Sequence, residues 1–96
     1  METLLQKARL YSLAVDRHPS YPPTAPPHLG LNEWEETAVL IHLLTELYKT
    51  LPEDQTWTQS VVNQIWMCER LSYLKRTYPY VGQSIFRSAP AWWKDL

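Results

Sequence analysis

Disulfide bonding has almost no material to work with in this chain. Cys68 is its single cysteine, so an intrachain staple is excluded, and with it the small secreted scaffold that lives on disulfides. Glycine is nearly as scarce. Gly30 and Gly82 are the two glycines, too few and too far apart for a glycine-rich phosphate loop. No apolar run approaches the roughly 18–20 residues that cross a bilayer. The first residues include Glu2, Lys7 and Arg9, which break up the apolar core a signal peptide needs. Neither sign of charge dominates: 9 basic against 10 acidic residues leave a net charge of −1. Coating nucleic acid by bulk electrostatics is therefore a poor fit. At 96 residues the chain has room for one domain (1–96), not for a nucleotide-binding domain plus a substrate domain. These absences describe a reduced protein of the cell interior, cytoplasmic or nuclear, with no membrane span.

What is present is helical periodicity. Hydrophobic residues make up 45% and charged residues 20%, a globular composition. Leu4, Ala8, Tyr11 and Val15 recur at helical spacing and predict a helix over 2–16. Residues 17–31 hold five of the eight prolines, Pro19, Pro22, Pro23, Pro26 and Pro27. Proline fixes φ and removes a donor, so this stretch is predicted as an extended, polyproline-II-like connector. A second helix is expected over 32–51. Asn32 and Glu35 have the capping-box spacing, and Glu33, Glu35 and Glu36 crowd a first turn where the helix dipole favours acids. Its stripe runs through Trp34, Ala38, Ile41, Leu44, Tyr48 and Leu51, widened by Val39, Leu40, Leu43 and Leu47. So much apolar surface implies either the central helix of the domain or a face covered by a second subunit in a homodimer.

After Pro52-Glu53-Asp54 a third helix is predicted over 56–78, with Trp57, Val61, Ile65, Cys68, Leu71 and Leu74 inward. Val62, Trp66 and Tyr73 flank that stripe, while Asn63 and Arg70 are expected to point away from it. Pro79 is read as its end, and 79–96 as a short aromatic tail. The predicted fold is an all-α three-helix bundle with a proline-rich connector between the first two helices.

Catalytic and metal constellations are missing from the pattern. His42 and Glu46 stand one turn apart on the second helix but lack further ligands nearby, and read as its solvated strip. Cys68 lies on an inner stripe as a small hydrophobe. His18 and His28 flank the proline stretch, and the acids at 33, 35 and 36 are explained by helix-start electrostatics. No catalytic residue, metal ligand or cofactor is assigned, and the chain reads as a non-enzyme.

Binding is the better-supported role. Pro23-Thr24-Ala25-Pro26 resembles the PTAP late-domain peptide of retroviral structural proteins and some cellular adaptors. The resemblance implies a host protein as partner, the ubiquitin-E2-variant domain of the budding machinery, with those four residues as the contact. A polyproline strand is already extended, so docking it orders little. The other reading of the same segment is a spacer wrapped around the bundle. Asn32-Glu33-Trp34, leading into a leucine-rich helix that ends at Leu51-Pro52, is similar to the first helix of small Vpr-type lentiviral accessory proteins. Those are three-helix adaptors that recruit host proteins to ubiquitin ligases. The extra helix before the prolines and the missing arginine-rich tail depart from that pattern, so the likeness implies a class and no site residues.

Two further surfaces stand out. Trp92 and Trp93 are adjacent on a short tail, where both cannot easily face inward, and tryptophan is enriched at interface hot spots. Arg70, Lys75, Arg76 and Arg87 are interleaved with Tyr78, Tyr80 and other aromatics and have no acid among them. Cations among aromatics suit single-stranded nucleic acid, which makes a small RNA- or DNA-binding protein the alternative to a non-enzymatic protein–protein adaptor of the viral accessory class that the second likeness implies.

Overall fold

The computed structural model describes residues 3–17, 20–50, 59–85, 93, 94 and 96. Helix α1 spans Leu4–Arg17, α2 Glu33–Thr50, α3 Gln59–Thr77 and α4 Pro79–Ile85, and a 3-10 turn lies at Pro27–Leu29. The fold is all-α, and no strand occurs among the described residues.

Helices α1 and α2 start where local chemistry supplies partners for their orphan N–H groups. At α2 the Asn32 Oδ1 accepts from the Glu35 N–H at 2.8 Å, and the Glu35 carboxylate accepts from the Asn32 N–H at 3.4 Å. This is the reciprocal box expected from the sequence. The same device opens α1, where Thr3 Oγ1 accepts from Gln6 N–H at 3.2 Å and Gln6 Oε1 from Thr3 N–H at 2.7 Å. The Thr-x-x-Gln spacing carried that signal in the sequence. Pro79 does not simply terminate α3. It forces Tyr78 out of the helix and then occupies the first position of α4, where its missing N–H costs nothing. The predicted tail 79–96 thus begins with a seven-residue helix that buries Val81.

Helix α2 is central, touching α1, α3 and α4. Its apolar excess is taken up by three neighbouring helices, with Ile41, Leu43 and Leu47 half-buried against the core. The core itself comprises Ala8, Tyr11 and Val15 of α1, Val39, Leu40 and Leu44 of α2, and Trp66, Met67, Leu71 and Leu74 of α3.

Two stripes are rotated from their expected positions. On α2, Trp34 is 47% exposed while Glu36 and Thr37 are buried, which turns the buried line toward Glu36, Leu40 and Leu44. On α3, Trp66 and Met67 replace Ile65 and Cys68 as the most buried residues. The two largest apolar side chains of that segment bring more area out of water than Ile and Cys do, and they set the facing. Asn63 follows them inward and is 5% exposed, with its amide donating to Asp16 of α1. Trp57 and the predicted start of α3 at 56–58 lie outside the described residues.

Gly82 on α4 faces Trp93. A Cβ there would stand 2.9 Å from Trp93 Cζ2, inside van der Waals contact. The Trp93 indole also lies under the Lys75 ammonium, 5.1 Å from the ring centroid, and its carbonyl accepts from Lys75 Nζ at 2.8 Å. Alanine normally stabilises a helix interior relative to glycine by about 0.5–1 kcal/mol. Gly82→Ala is expected to do the reverse here, lowering Tm and moving the Lys75 side-chain proton resonances away from their ring-current positions. A raised Tm with unmoved Lys75 resonances would show that Trp93 is not seated on α4.

Candidate interaction surface

The proline segment is held against the helices by a buried polar network. Glu36 is 2% exposed, so its carboxylate must find donors inside the protein. It finds three. Tyr11 Oη donates at 2.6 Å from α1, and Arg70 donates through Nε at 2.8 Å and Nη2 at 2.8 Å from α3. The Arg70 contact is the bidentate fork that makes arginine–carboxylate pairs strong and directional. Arg70 also donates through Nη1 to the Pro23 carbonyl at 3.3 Å and lies over the Tyr73 ring at 5.1 Å. Trp66, edge-on to Tyr11 at 6.1 Å, donates its Nε1–H to the Ser20 carbonyl at 2.8 Å. Three helices and both ends of Ser20–Pro23 are thereby joined in one structure.

These surroundings move proton affinities. Burial, then the adjacent Glu36 carboxylate, raises the Tyr11 phenol well above its ordinary value. The hydrogen bonds to Glu36 hold the Arg70 guanidinium above its own. At the surface, Lys7 and the Asn32 N–H keep the Glu35 carboxyl below the usual range, while partial desolvation and the bond to Glu33 raise the Tyr80 phenol. Tyr11 has a measurable consequence. The folded state retains its proton at pH values where the unfolded phenol, near pH 10, has lost it. Its contribution is therefore complete below about pH 10 and is lost as pH rises further, at about 1.4 kcal/mol per unit. Urea unfolding between about pH 9 and pH 11.5 should show a slope that Tyr11→Phe makes shallower by about that amount. An unchanged slope would place the phenol in contact with water.

The pinned connector separates two concavities. On one side, a groove of about 580 Å³ runs between α1 and the connector, lined by Leu10, Leu13 and Ala14 opposite Thr24, Pro26 and Pro27. On the other, a groove of about 740 Å³ lies between the connector and α3, with Pro23, Arg70, Tyr73 and Arg76 in its walls. The first is the more apolar in residue type. Leu10 and Leu13 at its edge are 41% and 51% exposed.

The PTAP-like residues are placed unequally around this ridge. Pro23 is half-buried and gives its carbonyl to Arg70. Thr24 is exposed, its hydroxyl 3.1 Å from that of Ser20. Ala25 packs on the core, and Pro26 is extended at φ −60° and ψ 116° before the 3-10 turn. Gly30 closes that turn with φ 61°, a left-handed conformation that glycine adopts without strain. The segment is thus packed on the domain, while Thr24 and Pro27 keep an outward face.

Of the other singled-out residues, Arg70 and Arg76 share the second groove with Pro23 and Thr24, and the other described ones lie elsewhere. Trp92 and Arg87 lie outside the described residues, and Trp93 is half-buried on the core and α4. In the basic stretch, Arg70 is bound to Glu36, and Lys75 donates to Trp93 and, at 3.5 Å, to the Leu96 carbonyl. Tyr78 packs on the core, Tyr80 donates to Glu33 at 3.1 Å, and Arg76 is exposed. Two of the three described cations in that set are therefore occupied within the protein, which leaves a thin footprint for phosphates. Among the described residues, no group of three or more His, Cys, Asp or Glu could hold a metal ion, and no helix is long and apolar enough to cross a membrane.

Glu36, expected to serve helix-start electrostatics, and Arg70, expected to point away from the core stripe, instead meet in one buried network. A signal was available for each: Glu36 stands one turn before Leu40 and two before Leu44, and Arg70 adjoins Leu71. Comparison with protein-family models, curated proteins and solved structures finds no match to this chain.

Proposed function

We propose that the chain is a non-enzymatic adaptor of the cell interior that binds another protein through the face built by α1 and the proline connector. Its mode of action is the occupancy that small viral accessory proteins use to redirect a host factor. The observation that supports this most is the pair of leucines, Leu10 and Leu13, left open at the rim of the 580 Å³ groove. Burying such a side chain yields about 1.5–3 kcal/mol, and the core has no need of this pair because α1 already buries Ala8, Tyr11 and Val15 on its other side. An apolar centre rimmed by polar groups is the usual anatomy of a protein interface.

Affinity capture from nuclease-treated lysate tests the reading, with wild type, Leu13→Glu, Pro26→Leu and the Trp92→Ala/Trp93→Ala pair as baits. The expected result is a protein retained by wild type and lost with Leu13→Glu. Loss only with the tryptophan pair moves the interface to the tail, and absence of any protein partner overturns the adaptor reading.

A further inference from the structure

The outward face of α1 carries more than exposed leucines. Leu5, Arg9, Leu13 and Arg17 follow one another at intervals of four residues, and all four are exposed. Four-residue spacing places them along one ridge of the helix, about 18 Å from end to end at 1.5 Å per residue. Leucine and arginine alternate along it. No ion pair engages Arg9 or Arg17 among the described residues. The remaining cation of α1, Lys7, is paired with Glu35 on α2, and the helix's acid, Asp16, accepts from Asn63 of α3. The chain as a whole has a net charge of −1, yet this ridge is apolar and basic. Beside it lies the groove, where Arg17 stands on one wall and His28 on the other and no carboxylate lines the space among the described residues.

We propose that this ridge and the adjoining groove bind an acidic amphipathic helix of a partner protein. Its apolar side chains would pack among Leu10, Leu13 and Pro26, and its carboxylates would meet Arg9 and Arg17. The inference rests on the adaptor reading and adds the chemistry of the partner. Charge complementarity selects acids over bases, because a cationic segment would bring like charges together along the whole ridge. The ridge length selects a helix over a small molecule: leucines over about two turns, within a ridge of about three, give a partner helix laid along it room for several successive anchors.

The test is selection of a phage-displayed random dodecamer library on the full chain, followed by synthesis of the enriched peptides. Enriched sequences should combine Leu, Phe or Trp with Asp or Glu at spacings of three and four. Binding should fall on the order of tenfold or more with Leu13→Glu and with Arg17→Glu, and a peptide with its acids changed to lysine should regain affinity for Arg17→Glu. Circular dichroism should show the helix content of both variants retained, since both positions are exposed. Arg17→Glu should melt slightly lower, because an acid replaces a cation in the last turn of α1. Enriched peptides that bind equally to Leu13→Glu, or that carry no acid, would overturn this assignment while leaving the adaptor reading intact. Two further results would also overturn it. One is Leu13-dependent dimerisation in sedimentation equilibrium, which makes a second copy the occupant. The other is Leu13-dependent binding to vesicles of equimolar phosphatidylcholine and phosphatidylserine, which makes it a membrane surface. If no peptide is enriched, the assignment fails, and the lysate capture decides separately whether a partner exists.

Discussion

Arg70→Met is expected to destabilise the fold by about 3–5 kcal/mol, among the largest losses any single surface-accessible charge here could cause. Arg70 supplies two of the three hydrogen bonds that hold the Glu36 carboxylate inside the protein. Removing it leaves a buried negative charge with only the Tyr11 phenol. A domain of this size has a total stability on the order of 5–10 kcal/mol, so the variant should lose roughly half of its margin against unfolding. Removing all three partners together should cost far less. Tyr11→Phe with Glu36→Leu and Arg70→Met replaces the network by apolar groups of similar volume, an exchange that is often close to neutral. Urea denaturation of the single and triple variants measures both. A single variant within about 1 kcal/mol of wild type would mean that water, not Arg70, satisfies Glu36. The triple variant has a second readout, because Arg70 also holds the Pro23 carbonyl. Amide exchange in residues 20–25 should quicken even where global stability is recovered.

Trp66→Ala should cost about 3–5 kcal/mol, whereas Trp34→Ala should stay within about 0.5 kcal/mol. Trp66 is 1% exposed, stacks edge-on with Tyr11 and satisfies the Ser20 carbonyl. Trp34, on the first turn of α2, presents about half its surface to water. Both sit on apolar stripes of the sequence, and the contrast between them decides whether the rotated facing of α2 and α3 is right. Comparable losses at the two positions would restore the stripe through Trp34. Acrylamide quenching gives an independent check: an unquenched emission component should disappear in Trp66→Ala and persist in Trp34→Ala.

The extent to which the sequence was legible follows from the range of the forces involved. Element type and boundaries depended on near neighbours. The helical periodicity of Ala8, Tyr11 and Val15 and the Asn32–Glu35 box each act within a turn or two, and each appears in the structure as read. By contrast, the stretch read as extended over 17–31 winds into a 3-10 turn at Pro27–Leu29. The facing of α2 and α3 depended on competition between residues far apart in the chain. Trp66 and Met67 outweigh Ile65 and Cys68 only once α1 and the connector are there to receive them. Glu36 becomes a core residue only because Tyr11 and Arg70 arrive from 25 and 34 positions away. A carboxylate on an apolar line looks like a surface residue until its donors are located. The proline segment was legible as a connector, but its anchors were not, since they are the carbonyl groups of Ser20 and Pro23, which no side-chain pattern encodes. The leucine–arginine ridge of α1 was present in the sequence throughout. It stood out only when Lys7 and Asp16 were found to be engaged by other helices and Arg9 and Arg17 were not.

The most direct test of the α1–connector face is site-specific photocrosslinking in the expressing cell, with benzoylphenylalanine in place of Leu13, Trp34 or Tyr73. All three positions are exposed, so the fold should accept each probe. The expected result is a discrete covalent protein adduct from position 13, lost when Arg17→Glu is added, with no comparable adduct from 34 or 73. An adduct from 34 or 73 but none from 13 would contradict the assignment and place the partner on another face of the bundle.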